Sequence, residues 1–188
     1  MSPLHPDFIV GVGGSAGSLQ AFKALLAALS PRTGMAFIFV SHIYPTANSQ
    51  LAEILARITK MPVMLATNAM AIERNSVYVI PPDSDLYVEN YTFKVITPRS
   101  VRNKQIDILF SSLADAVGSS AVGIVFSGYD GDGTEGCQKI KSKKGTTFAQ
   151  DKSAEVQSMP LRAQEGGNID FVMTPAEIAM ELQKMGKN

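Results

Sequence analysis

Short apolar runs rich in β-branched and aromatic residues alternate with longer amphipathic stretches along almost the whole chain. The runs predict strands at 8–12 (FIVGV), 35–42 (MAFIFVSH), 62–67 (PVMLAT), 121–128 (AVGIVFSG), 146–150 (TTFAQ) and 169–173 (IDFVM). Helices are predicted between them. At 18–30, Leu19, Phe22, Leu25, Leu26 and Leu29 share one stripe, and Pro31 helps stop the helix. Others are predicted at 48–59, at 106–118 with Gly118 as C-cap, at 134–141, and at 174–186, where Thr174, Pro175 and Glu177 form a capping-box signature. Such alternation predicts an α/β fold, a doubly wound, mainly parallel sheet flanked by helices. Residues 76–97 depart from it: three short strands separated by Pro-Pro-Asp-Ser and Glu-Asn-Tyr turns predict an antiparallel hairpin or meander near the sheet edge. The chain is expected to be a single domain over 1–188, with 1–7 as lead-in and 187–188 as tail.

Composition narrows the function. Of 188 residues, 45% are hydrophobic, enough for a sizeable core, and 17 basic residues balance 17 acidic ones. A neutral chain lacks the general electrostatic footprint of a nucleic-acid or membrane binder, so neither partner is expected. The densest basic cluster, 139–144, reads as the solvated end of a helix. With Cys137 the single cysteine, an internal disulfide and a multi-cysteine zinc site are excluded, and Cys137 itself reads as a small buried apolar residue. No metal constellation and no cofactor is expected. Neither a membrane-length apolar run nor a signal peptide is present, so a cytoplasmic location is expected.

The chemistry centres on GVGGSAGS at 11–18, directly after the first predicted strand. A dinucleotide fingerprint needs G-x-G-x-x-G and an acidic residue at the end of the second strand. Here Gly11, Gly13 and Gly17 miss that spacing by one residue, and the second strand ends in Ser41-His42 with no carboxylate from 35 to 48. A phosphate loop fails as well, because no Lys-Ser/Thr follows the glycines. The alternative is a G-x-S-x-G elbow, Gly13-Gly14-Ser15-Ala16-Gly17, a strained turn that lifts a serine hydroxyl between strand and helix. Such a serine needs a base. His5 precedes the first strand, whereas His42 ends the second, on the rim where α/β sites form. If those strands are neighbours, Ser15 and His42 share that rim. An acceptor for the imidazole is offered by Asp130 and Asp132 after the fourth main strand; Asp130 reads equally as a turn residue and Asp132 as an N-cap. Asp107 reads as a helix N-cap, and Tyr44 and Pro45 as groove-lining or surface residues.

Taken in order, VGVGGSAGSLQAF, FVSHIYP, YVIPP, IDILFSSLA, GIVFSGYDGDGTEG and FAQD with SMP resemble the catalytic domain of the chemotaxis protein-glutamate methylesterases, the CheB family. Within it the chain looks most like the version found in hybrid proteins that also carry the methyltransferase (CheR) domain. The resemblance runs from Phe8 to about Pro175. It implies a serine hydrolase that removes the γ-methyl ester from glutamates of chemoreceptor cytoplasmic helices, releasing methanol, with glutamine deamidation in some members. By motif match it implies Ser15 as nucleophile, His42 as general base, Asp132 as orienting acid, and backbone N–H groups near Ala16 and Tyr129 as oxyanion donors. The partners it implies are methyl-accepting chemoreceptor helices and fused methyltransferase and signalling domains.

Three places depart from the family pattern: Gly14 and Ser18 in the elbow, Tyr129-Asp130-Gly131 in the rim loop, and Leu161-Arg162 after Met159-Pro160. The altered rim supports a second expectation, a weak or inactive receptor-binding module on the same fold. Asp130 is expected to favour an imidazolium at His42. Only about seven residues precede the first strand, so control is expected either from domains elsewhere or not at all.

Overall fold

The computed structural model describes residues 5–42 and 48–186, which leaves the ends of the lead-in and tail outside the described residues. Strands β1 (Ile9–Gly14), β2 (Ala36–Ser41), β3 (Val63–Leu65), β4 (Ser76–Val79), β7 (Ala121–Val125), β8 (Thr146–Gln150) and β9 (Phe171–Met173) form one sheet in the order β3-β4-β2-β1-β7-β8-β9, every pair parallel. A separate antiparallel hairpin joins β5 (Asp85–Glu89) to β6 (Thr92–Ile96). The excursion is therefore two strands long. Ser76–Val79, the first of the three strands expected there, pairs instead with β2 and β3 inside the main sheet.

Among the described residues the sheet is covered on both faces. One face carries α1 (Ser18–Ala28), α2 (Asn48–Ala56) and α6 (Pro175–Met185), whose Phe22, Leu25, Leu55, Ile178 and Leu182 close over Val10, Val12, Phe37 and Phe39. The other carries α3 (Gln105–Val117), α4 (Thr134–Ser142), α5 (Ser158–Glu165) and the hairpin, with Phe110, Ile140, Met159 and Phe93 in that core. Helix α5 has no counterpart in the sequence reading. At α6 the capping box forms as expected: Glu177 N–H donates to the Thr174 hydroxyl at 3.3 Å, and Thr174 N–H to the Glu177 carboxylate at 2.9 Å. Lys139 and Lys143, at the end of α4, pair with Asp115, and Lys141 pairs with Asp170.

The glycines of β1 serve packing. A Cβ at Gly11 would sit 2.7 Å from the Phe110 ring, and one at Gly13 would sit 2.6 Å from Ile106. Their absence lets α3 lie directly on the central strand. Strand β1 is also where the chain reverses direction across the sheet: β1 leads to β2 on one side, β7 leads to β8 on the other. Loops leaving neighbouring β1 and β7 diverge to opposite faces and open a crevice at their carboxyl ends, the usual place for an α/β site.

Candidate active site

Ser15, His42 and the 129–133 loop follow β1, β2 and β7 directly, so three neighbouring strands deliver them to one rim. Gly14 pairs with Ser41, and His42 N–H reaches the Gly14 carbonyl at 3.4 Å. Ser15 is half-buried; its N–H donates to the Ser127 carbonyl at 2.8 Å, and its carbonyl accepts from the Ser18 hydroxyl at 2.7 Å. The elbow's left-handed residue is Gly17, at φ 75°, while Ser15 keeps a negative φ. Strain expected around the serine thus falls on a glycine that tolerates it.

Sequence reasoning missed Ser127. Its fully buried hydroxyl donates to the Ala16 carbonyl at 2.6 Å and accepts from Val156 N–H at 2.9 Å, tying together the loops after β1, β7 and β8. The N–H groups of Ala16 and Tyr129 have no acceptor among the described residues. Tyr129 is 70% exposed, so its ring projects beside the crevice.

Asp132, with a side chain 0% exposed, does not cap α4 as its place in the chain suggests; Gly133 holds that position. It caps α3. One carboxylate oxygen accepts Asp107 N–H at 2.8 Å; the other accepts Ile106 N–H at 2.9 Å and bonds His42 Nε2 at 2.6 Å. Asp107 returns the favour from α3: it takes Gly133 and Gly136 N–H at 2.9 and 2.8 Å, so it caps the helix across from its own. Lys104 Nζ lies 3.3 Å from the second Asp107 oxygen. Burial, then the nearby Asp132 charge, push the Asp107 carboxyl up to about 6 against stabilising backbone N–H bonds.

His42 is held from both sides. Its imidazole is 4% exposed, with Asp132 on Nε2 and Asp130 on Nδ1 at 3.1 Å. A neutral imidazole carries one N–H, so donating to two carboxylates makes this ring an imidazolium. Burial is the largest influence and favours the neutral ring, but the bonds to Asp130 and Asp132 and their charges outweigh it, raising the imidazole from 6.5 to about 9. With both nitrogens taken, no hydrogen bond joins Ser15 Oγ to the ring among the described residues. The other histidine, His5, packs at a tilt against Tyr91 with ring centroids 4.1 Å apart and makes no hydrogen bond to Ser15, Asp130 or Asp132 among the described residues.

Tyr44 and Pro45 lie outside the described residues. A groove of about 580 Å³, lined by Tyr87, Val101, Lys104, Asp107, Ile108 and Glu135, lies on the α3 side of the Asp107–Asp132 pair and does not include Ser15 or His42. Among the described residues no group of three or more His, Cys, Asp and Glu side chains is placed to hold a metal ion, and no helix is long and apolar enough to cross a membrane. Cys137 is fully buried, and burial pushes its thiol far above the usual range.

Fold and site together define a doubly wound α/β protein with a hydroxyl, an imidazole and carboxylates gathered at its switch point. The family model described as CheB methylesterase matches residues 10–182, and the chain belongs to that family. A protein-glutamate methylesterase/protein-glutamine glutaminase of Sulfurimonas denitrificans is 30% identical over 184 residues, which cover 94% of this chain and 52% of the relative. One from Paramagnetospirillum magneticum is 31% identical over 178 residues, covering 93% and 50%. The chain spans about half the length of these two. A provisionally named Leptospira interrogans relative, 28% identical, is matched over 94% of both chains. The crystal structure of the Thermotoga maritima CheB methylesterase catalytic domain superposes with a TM-score of 0.87 at 24% identity, covering 95% of this chain and 98% of that one, and shows the same fold.

Proposed function

We propose that the chain is a serine hydrolase that removes the γ-methyl ester from glutamate residues of chemoreceptor-type proteins, releasing methanol, and that it hydrolyses the glutamine side-chain amide by the same chemistry. The observation that carries this reading is the 2.6 Å Asp132–His42 contact at the rim that Ser15 shares. Asp132 fixes Nε2–H, which leaves Nδ1 as the nitrogen that takes the Ser15 Oγ proton. Oγ then adds to the ester carbonyl, and the developing oxyanion is met by Ala16 and Tyr129 N–H, both without another acceptor among the described residues. Collapse expels methanol with a proton from His42, and water repeats the sequence on the acyl-enzyme. No cofactor takes part in these steps.

We further propose that 1–188 works as one catalytic unit in the cytoplasm and acts on methylated chemoreceptor cytoplasmic helices. We also propose that such units work fused to methyltransferase and signalling domains; a 104.1 kDa protein of Rhodobacter capsulatus, 36% identical over 125 residues that make up 13% of its length, carries a similar stretch inside a much longer chain. A second reading, a receptor-binding module without turnover, is favoured by one observation: both His42 nitrogens are engaged by carboxylates.

Methanol release from a methyl-esterified receptor cytoplasmic fragment, measured between about pH 6 and about pH 10, separates the two. The hydrolase reading predicts a kcat/KM that rises with pH along an acid limb near 9, as His42 gives up its proton. Release at no pH would leave the binding module. A related prediction concerns Gly128, where a Cβ would sit 2.9 Å from Ser15 Cβ and 2.6 Å from Met159 Cε. Gly128→Ala is expected to lower stability by about 1–3 kcal/mol, read by thermal melting, and kcat by about 10²-fold through displacement of Ser15.

A further inference from the structure

The two carboxylates on His42 are unlike each other. Asp132 is sealed in, its oxygens filled by two α3 N–H groups as well as the ring, and it cannot leave without orphaning them. Asp130 is 32% exposed, sits near the tip of the loop between β7 and α4, and spends one oxygen on Asp132 N–H at 3.0 Å and the other on His42 Nδ1. Mechanistically it occupies the nitrogen that Ser15 needs. A second cation stands close by. Arg162, exposed on α5, runs beside the same loop: a Cβ at Gly131 would lie 3.4 Å from its Cδ and 3.6 Å from one of its terminal nitrogens. Among the described residues Arg162 makes no ion pair.

We propose that Asp130 is a latch on the general base: in the resting site it holds His42 Nδ1, and turnover requires it to exchange His42 for Arg162, which frees Nδ1 to accept the Ser15 Oγ proton. This rests on the hydrolase reading and adds a positioning residue that acts through His42. Chemically the exchange is balanced: Asp130 stays ionised throughout, His42 releases the Nδ1 proton to solvent, and the ring remains bonded to Asp132 through Nε2–H. The exchange replaces one ion pair by another and leaves the Asp130 carboxylate paired, because Arg162 runs beside the same loop and Asp130 is itself partly exposed. The carboxyl of Asp130 is held below its usual range in spite of partial burial, by the His42 bond, the Asp132 N–H and the nearby Arg162 charge, so it keeps its charge in either position.

The groups around His42 set the direction of the effect. The loop after β7 brings Asp130 and Asp132; α3 brings Lys104 and Asp107; α5 brings Arg162; and the loop after β8 brings Glu155, whose side chain lies against Gly17. Neutralising Asp130 removes the one carboxylate bound to Nδ1 and leaves the Asp132 pairing intact. His42 then loses its proton more readily and presents Nδ1 at neutral pH.

Asp130→Asn and Arg162→Gln test this with two readouts, the His42 titration followed by ring-proton NMR and the pH profile of methanol release from a methyl-esterified receptor fragment. Asparagine keeps an oxygen for Asp132 N–H, so the loop has no cause to refold. In Asp130→Asn the His42 titration and the acid limb of kcat/KM are expected to fall together by about one unit or more, which raises kcat/KM near neutral pH about tenfold and leaves the alkaline plateau unchanged. Arg162→Gln, which removes the receiving cation, is expected to move the limb upward and to lower neutral activity several-fold, with KM unchanged. An unmoved His42 titration in Asp130→Asn, or an equal fall of kcat at every pH, would overturn the latch. A lowered His42 titration without methanol from either protein would support the contact and sink the hydrolase reading instead.

Discussion

Ser15→Ala is expected to lose about 10⁴-fold or more in kcat for methanol release while melting within about 0.5 kcal/mol of the wild type. The separation of the two effects follows from how the residue is held. Everything that fixes Ser15 in the fold is backbone: its N–H on the Ser127 carbonyl, and its carbonyl on the Ser18 N–H and hydroxyl. Its Oγ makes no hydrogen bond among the described residues, so alanine removes no structural contact, and Ser15 is only half-buried. What alanine removes is the atom that must carry the acyl group. Residual hydrolysis from the remaining oxyanion donors is expected to be small but measurable. A phosphonate ester provides a second readout: it should label the wild type at Ser15 with loss of one leaving group per chain and leave Ser15→Ala unmodified. An unchanged rate in Ser15→Ala would remove the serine mechanism.

How legible this was in the sequence depends on whether a feature is local. The strands, the elbow and the position of His42 at a strand end are local patterns, and the structure has β1, β2, β7 and β8 where apolar runs predict them. The strand at 76–79 was misplaced because its neighbours look like turns, Pro81-Pro82 above all, whereas its partners β2 and β3 are remote. The structure shows the difference that the sequence does not declare: all four residues of β4 are buried, as a strand covered on both faces requires, while β6 carries the exposed Lys94 and Ile96 of a half-covered hairpin strand. Helix α5 is eight residues long with Pro160 in its first turn, too short and too polar for periodicity to declare it. Asp107 and Asp132 were each read as caps of the helix next to them in the chain. Each caps the other's helix, a crossing that depends on α3 and α4 meeting in space and leaves no trace in spacing. Glycines 11 and 13 invited a phosphate or turn reading for the same reason: what they accommodate is Phe110 and Ile106, about 95 residues away by numbering.

That crossing makes Asp132→Asn the most informative substitution after Ser15→Ala. Asp132 answers only donors: Ile106 N–H, Asp107 N–H and His42 Nε2. An asparagine must place its NH₂ where one of the carboxylate oxygens was. Facing Asp107 N–H, it sets donor against donor in a fully buried spot; facing His42, it donates to Nε2 and forces the proton onto Nδ1, the nitrogen that should be basic. Either arrangement costs stability, and about 2–4 kcal/mol is expected for removing one partner of a buried charge pair that also caps α3. The second arrangement also removes the base, so kcat is expected to fall by about 10³–10⁴-fold. The dependence on pH has a definite sign. Because the imidazole is raised from 6.5 to about 9 in the folded chain, its ion pairs contribute stability that is complete below about 6.5 and is lost as pH rises through about 9. Thermal melts of wild type and Asp132→Asn should therefore differ most from neutral pH downward to where carboxylates protonate, and should approach each other above about pH 9, without meeting, since in either orientation of the amide one of the two α3 N–H groups loses its acceptor at every pH. Ser15→Ala predicts no such pattern. A variant that lost activity while its melt stayed level across this range would show that Asp132 is not the carboxylate that charges His42.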